Sequence, residues 1–373
     1  MSPGGRPGSE DTQGEDTDLM LWGTVFLDIV FAGLPNGPAP GTEVWAEGMA
    51  SCPGGIANLA VAARRLGLRT SLAAVFGDDV YGEFCWRTLA EQESVDLSRS
   101  RRCRDWHSPV TVSMSFRDDR AMVSHGHADP IDSDELIGDP PPTRSALVDL
   151  EHVFDRTART ARWPDWVATA RRRGALVFAD LGWDATGEWP VEMLNALDGC
   201  DAFLPNAGEA MAYTRTDTPR MALRVLADRV PLAVVTNGAV SALAIDAATG
   251  EEVEVPAVPS PVVDPTGAGD VFAAALVAGT LAGLPLADRL ALGNLCSSLT
   301  LGHYGGSLAA PGWGDVLDWW HGLAAARHPN AAQRELLTRY EFLADVVAQA
   351  PDRISRRARA TIANPVDDDL GLP

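Results

Sequence analysis

The chain has 373 residues, and its 51 acidic against 30 basic side chains give a formal charge of −21; all 30 basic residues are arginine. With no lysine, the chain is excluded from mechanisms that need an amine: the Walker-type phosphate loop, the strand lysine of protein kinases, and the Schiff base of pyridoxal enzymes and class I aldolases. The strong acidity argues against nucleic acid and anionic membrane, whose binding depends on basic side chains, and points to a small soluble partner.

Residues 1–18 carry no apolar segment, cannot act as a signal peptide, and read as a disordered acidic tail. Leu19 to Asp28 is an apolar run ending in an acid, the pattern of a buried strand delivering one carboxylate to a sheet edge. A turn-rich PNGPAPG loop and a short exposed strand near residues 43–47 follow. Gly54 and Gly55 open a helix over Ile56–Leu66 that ends at Gly67. A strand over Thr70–Val75, a turn at Gly77-Asp78-Asp79 and a helix through about Glu93 come next. From Pro109 to His125 two alternating strands flank the turn RDDR, an antiparallel hairpin that suggests a small β lid.

From Ala146 the pattern alternates: strands at Ala146–Leu150, Ala175–Asp180, Ala202–Leu204 and Leu232–Thr236, with helices near Trp163–Arg173, Val191–Leu197 and Thr218–Asp228 between them. Ser241–Ile245 and Val253–Val255 suggest an edge hairpin. Three helices then start at about Ala268, Leu286 and Gly314. The expected fold is α/β: a mostly parallel, doubly wound sheet with helices on both faces plus a small β-sheet lid, whose segments lie near 31–49 and 105–128. Residues 327–373 form a C-terminal extension, with an amphipathic helix over 331–349 and a tail of opposed charges. The apolar stretch 271–287 is too short and too rich in glycine to span a membrane and reads as a buried helix. Five scattered cysteines without metal spacing read as free thiols of a cytoplasmic protein.

The segment Asp264-Pro-Thr-Gly-Ala-Gly-Asp270 carries the clearest chemistry. Gly267, Ala268 and Gly269 are small enough for backbone amides to approach an anion, and a helix starting there directs its positive end to the same place. Asp270 in that first turn is either a favourable helix charge or a general base beside the anion site.

Several segments in order resemble the ribokinase family, the phosphofructokinase-B type of carbohydrate and nucleoside kinases. They are Pro53-Gly54-Gly55-Ile-Ala-Asn58 running to Gly67, followed by Gly77-Asp78-Asp79 and Gly82; Asn206-Ala-Gly-Glu209; Val235-Thr236-Asn-Gly238; and Asp264 to Asp270. The resemblance extends from about residue 19 to 326. It implies a ribokinase-like fold and transfer of the ATP γ-phosphoryl group to a primary alcohol of a sugar or sugar derivative. Asp28, Gly54, Gly55, Asn58 and Glu151 would bind substrate, Asp270 would be the base, and the Gly267, Ala268 and Gly269 amides would form the anion hole. Asn206 and Glu209 would act on the Mg²⁺ shell through water. Thr236 and Gly238 would line the nucleotide, Asn294 would sit near adenine, and Asp264 with Thr266 would hold a monovalent cation such as K⁺.

Three departures stand out. Phe26 occupies a position where ribokinases carry a polar residue, which opens a nucleoside as the alternative substrate. The loop His303-Tyr304-Gly305-Gly306 differs from the usual cation-site pattern. His125 and His127 flank a glycine as a metal pair would, but the sequence offers no third ligand. A ligand sensor on the same fold is the reading of another class, disfavoured by the retained base. The exposed edges expected of a lid predict a homodimer.

Overall fold

The computed structural model describes residues 16–116, 120–182, 184, 186–347 and 355–357. The chain enters β1 (Thr17–Trp22), buried from Thr17 to Leu21 as a strand covered on both faces must be. Only residues 1–15 of the expected tail lie outside the described residues, because Thr17 and Asp18 already belong to β1. Two residues beyond Trp22 the chain starts β2 (Val25–Leu34), which belongs to a different sheet. The expected single strand Leu19–Asp28 is therefore two strands, and Asp28 sits inside the second, not at the end of the first. β2 is half-buried on alternate residues, yet its sequence VFLDIVFAGL is apolar on both faces, so periodicity concealed the break.

β3 (Gly48–Gly55) returns antiparallel to β2, with Asp28 opposite Cys52 and Phe26 opposite Gly54. The expected strand at 43–47 is absent, and the ladder runs through Pro53 instead. Proline is tolerated there because β3 is an edge strand. Next come α1 (Ile56–Arg65), β4 (Thr70–Ala73), β5 (Val75–Gly77), α2 (Val80–Arg87) and β6 (Arg101–Cys103). The expected hairpin forms as β7 (Val110–Phe116) and β8 (Arg120–His125), its turn residues 117–119 lying outside the described residues. β7 pairs in parallel with β2, which gives a four-stranded lid of order β3-β2-β7-β8.

The remaining elements build the body. They are α3 (Ser133–Ile137), β9 (Thr143–Asp149), the small hairpin β10 (Phe154–Asp155) and β11 (Thr160–Ala161), α4 (Asp165–Arg172), β12 (Leu176–Asp180) and β13 (Ala202–Phe203). Then follow α5 (Ala207–Thr214), α6 (Pro219–Ala227), β14 (Leu232–Asn237), β15 (Ser241–Asp246), β16 (Glu251–Pro256), α7 (Ala268–Leu281) and α8 (Leu286–Leu301). The last are α9 (Gly306–Ala309), α10 (Trp313–Ala324), α11 (Ala331–Arg339) and α12 (Leu343–Val347). The β10–β11 hairpin and α5 were not foreseen, and 3₁₀ turns over Val191–Gly199 replace an expected α-helix. Over residues 331–347 the expected helix breaks after Arg339; residues 348–349 and, apart from 355–357, the expected charged tail lie outside the described residues. Tyr340 and Leu343 at the break are fully buried, and the Tyr340 hydroxyl donates to the Ala291 carbonyl at 3.0 Å, so the segment is docked on α8.

The body sheet has the order β16-β15-β14-β13-β12-β9-β1-β4, parallel from β14 to β4 with an antiparallel edge hairpin. From β1 the chain winds outward to β4 and then, through β9, in the other direction, so the topological switch point lies between β1 and β9. Ligands of open α/β sheets bind at the carboxyl ends of the strands at such a point. The lid rises from the end of β1. α7 is buried from Val271 to Gly279, as a helix apolar on nearly every side must be, and its first turn meets the start of α1. Arg65 on α1 makes a buried bidentate pair with Glu93, at 2.8 and 2.9 Å, and also donates to the carbonyls of Leu308 and Ala310. Among the described residues no helix is long and apolar enough to cross a membrane, and all five cysteines are free.

Candidate active site

Asp28 is 4 % exposed on a lid strand, and Gly54 lies on the neighbouring strand. A β-carbon at Gly54 would stand 1.9 Å from Asp28 Oδ2, so the carboxylate occupies the space that any other residue would fill. Gly55 then leads directly into α1, whose first turn carries Asn58, 5 % exposed. Asn58 Nδ2 donates to Asp270 Oδ2 at 3.0 Å, across 212 residues of sequence. Its Oδ1 is buried and makes no hydrogen bond among the described residues.

Asp270 lies in the first turn of α7, behind Gly267 in the left-handed region at φ 77°. The Val271 N–H donates to the Gly267 carbonyl at 2.9 Å, so the amides ahead of it belong to the opening turn, where a helix directs N–H groups outward. The Ala268 N–H already reaches the Pro265 carbonyl at 3.3 Å. Gly269 is exposed, and Gly267 and Ala268 are half-buried. Of the three residues expected to form the anion site, Ala268 therefore has its amide already engaged.

Asp264 is 1 % exposed, and both its oxygens accept backbone bonds, from the Thr266 N–H at 3.0 Å and the Gly305 N–H at 3.3 Å. This ties the loop 303–306 to the anion segment, while the Ser307 hydroxyl donates to the Pro53 carbonyl. Three segments distant in sequence, 53–58, 264–270 and 305–307, thereby meet.

A second group of acids lies at the carboxyl ends of the central strands. Asp149 and Asp180 end the adjacent strands β9 and β12 in register. Glu209 is buried, and burial pushes its carboxyl up to about 7, despite the Asn206 bonds and helped by Asp149 and Glu151. Burial also raises Asp180 well above the usual range, reinforced by Glu209 and Asp270, and raises Asp149. Asp149 and Asp180 were not foreseen as site residues; their place at the ends of adjacent parallel strands was the available signal. Glu151, expected to bind substrate, is ion-paired with Arg156 at 3.1 Å and lies close enough to raise Glu209.

Asn206 and Glu209 form a reciprocal capping box on α5: the Asn206 side chain accepts the Glu209 N–H at 3.0 Å, and the Glu209 carboxylate accepts the Asn206 N–H at 2.9 Å. The spacing that suggested metal chemistry therefore also has a local structural use. The Thr236 N–H reaches the Pro205 carbonyl at 3.2 Å, which joins the end of β14 to this cap, and Gly238 is exposed just beyond. Asn294, expected near adenine, also has a structural use. Its amide donates to the carbonyls of Val255 and Pro256 at 3.0 and 3.2 Å, anchoring α8 to β16.

A lid over a switch point, an aspartate at a helix N-terminus and acids at the strand ends define a phosphotransferase-like site on an α/β body. Residues 17–312 match the model of the pfkB family carbohydrate kinases, and the chain belongs to that family of carbohydrate or nucleoside kinases. It is 30% identical over 319 residues to a fructokinase of Klebsiella pneumoniae, covering 78% of this chain and 96% of the relative. It is 26% identical over 287 residues to a nucleoside kinase of Methanothermobacter thermautotrophicus, covering 76% of this chain and 88% of that one. A putative ribokinase II from E. coli, solved in complex with ATP and Mg²⁺, superposes with a TM-score of 0.68 at 19% identity, covering 82% of this chain and 99% of the other.

Proposed function

We propose that the protein transfers the γ-phosphoryl group of ATP to a hydroxymethyl group of a sugar or sugar derivative. The observation that carries this reading is the Asn58–Asp270 hydrogen bond, which joins the lid-side motif to the aspartate at the helix N-terminus. Asp28, held against Gly54, accepts hydrogen bonds from substrate hydroxyls, and the backbone of Gly54 and Gly55 lets the sugar lie close. Asn58 orients the Asp270 carboxylate through Oδ2, and that carboxylate takes the proton of the attacking hydroxyl. The amides at the start of α7 stabilise charge on the transferred group. Thr236 and Gly238 line the nucleotide, and Asp264 with Thr266 shapes the loop where a K⁺ ion would bind.

Asp149, Asp180 and Glu209, at the ends of neighbouring elements, fit a divalent cation, because burial pushes all three carboxyls up, neighbouring acids add to this at Asp180 and Glu209, and a cation relieves that cost. When bound, Mg²⁺ neutralises phosphate oxygens. Glu209 would reach it through water, with Asn206 fixing its orientation. No lysine is needed for this arrangement.

The test is Asp270→Asn in an ATP-turnover assay with the best ligand from a thermal-shift screen of pentoses, hexoses, keto-deoxy sugars and nucleosides, since ligands of the native state raise its stability. Loss of the base lowers kcat by roughly 10²–10⁴-fold with the melting temperature retained. Turnover within tenfold of wild type removes Asp270 from that role. A nucleoside substrate is the second reading, supported by Phe26: its ring carbon Cδ2 lies 2.8 Å from where a β-carbon of Gly55 would stand, beside the substrate acid. The same screen decides between them.

A further inference from the structure

His107, His125 and His127 lie at the root of the lid, and their ligand-capable ring nitrogens are all within 4.8 Å of one another. The ring centroids are 5.1, 5.6 and 5.2 Å apart for the three pairs. All three side chains are exposed. The third ligand that the sequence lacked comes from 18 positions before His125, brought in by the β7–β8 ladder that pairs Val110 with His125.

The backbone carrying the three rings is pinned on both sides. The Trp106 indole donates to the Ala128 carbonyl at 3.1 Å, and Asp79 accepts the Ser108 N–H at 2.7 Å. Gly126 lets the chain between the two later histidines lie close against Pro109, since a β-carbon there would stand 2.9 Å from Pro109 Cβ. His107 Nδ1 is 2.7 Å from the Ser108 carbonyl oxygen, which can only accept, so Nδ1 carries the proton and Nε2 keeps its lone pair.

We propose that His107, His125 and His127 form a site for one divalent transition-metal ion of the zinc class, with water completing a tetrahedral shell. Three neutral imidazoles suit zinc and its neighbours and not Mg²⁺, which takes oxygen ligands, so this site is chemically separate from the acids of the active site. Bonds of ~2.0–2.1 Å require the nitrogens to be about 3.3 Å apart, a contraction that exposed rings reach by rotating about their side-chain bonds. Occupancy joins the two ends of the β7–β8 hairpin, clamping the base of the lid.

The test titrates the EDTA-stripped full chain with ZnCl₂ by calorimetry, in the presence of excess Mg²⁺ to occupy oxygen sites. One equivalent with micromolar or tighter affinity is expected. His107→Gln, His125→Gln and His127→Gln should each weaken it roughly tenfold or more, since loss of a ligand costs at least as much as loss of an outer-shell partner. Circular dichroism checks that each variant is folded. Co²⁺ substitution should give the visible absorption of a four-coordinate ion, absent in the triple variant. Binding unchanged by His107→Gln, binding retained in the triple variant, or no one-equivalent binding to wild type overturns the proposal.

Discussion

Replacing Gly54 by alanine tests the substrate role of Asp28 without touching the carboxylate. The new β-carbon would lie 1.9, 2.0 and 2.3 Å from Asp28 Oδ2, Cγ and Oδ1. Ordinary carbon contacts are ~3.5–4.0 Å, so the carboxylate must retreat by more than about 1 Å. Overpacking of this kind costs about 1–3 kcal/mol of stability. A displacement of ~1 Å at a positioning group lowers efficiency by roughly 10²-fold, the equivalent of one or two charge-assisted hydrogen bonds to the substrate. Steady-state kinetics with the substrate found in the screen should place that loss mainly in its KM, with KM for ATP unchanged. On an Asp28→Ala background the same alanine at 54 should cost little more, because the clashing group is gone. A substrate KM within threefold of wild type for Gly54→Ala, with the fold intact, refutes the idea that Asp28 holds the substrate.

Arg65→Ala should destabilise the fold by about 3–5 kcal/mol in urea unfolding, since Glu93 is left as an unpaired buried charge, whereas Arg65→Met with Glu93→Leu should cost much less. Glu209 titrates near 7 in the fold against an ordinary 4.5, so the native state binds the extra proton and stability falls as pH rises from 4.5 through 7. Glu209→Gln should flatten melting-temperature profiles across that window, and Mg²⁺ should stabilise wild type more at pH 8 than at pH 5; an unchanged profile in the variant rejects the assignment. Asn294→Ala should lower stability by about 1–2 kcal/mol through the loss of its bonds to β16, with KM for ATP unchanged. A higher KM for ATP at unaltered stability would instead support the expected place of Asn294 beside the nucleotide.

Strands β9, β12, β14 and β15 are legible because each is short, apolar and closed by turn residues, whereas the β10–β11 hairpin and α5 are not. The break at Gly23 was not, since β1 and β2 are apolar on both faces and no period distinguishes them. β3 was hidden by GMASCPGG, whose glycines and proline argue against a strand unless one knows that it lies at an edge and beside a carboxylate. Asp270 was visible because a helix start, small residues and an acid coincide locally. Its bond to Asn58 was not, and neither was the third histidine, because both depend on how distant segments pack. The capping role of Asn206 and Glu209 was readable from spacing alone.

The placement of Asp28 on the lid, and not on the body sheet, has a thermodynamic consequence. A substrate held by Asp28, as proposed, would favour the lid position that keeps Asp28 over it, so its binding energy would also bias the lid. Linkage then runs both ways: whatever shifts the lid changes apparent affinity at Asp28 by the same factor, without any contact to the ligand. Under the proposed kinase reading, the acceptor alcohol at Asp28 would itself bias the lid toward closure, so that ATP would meet an alcohol in preference to water.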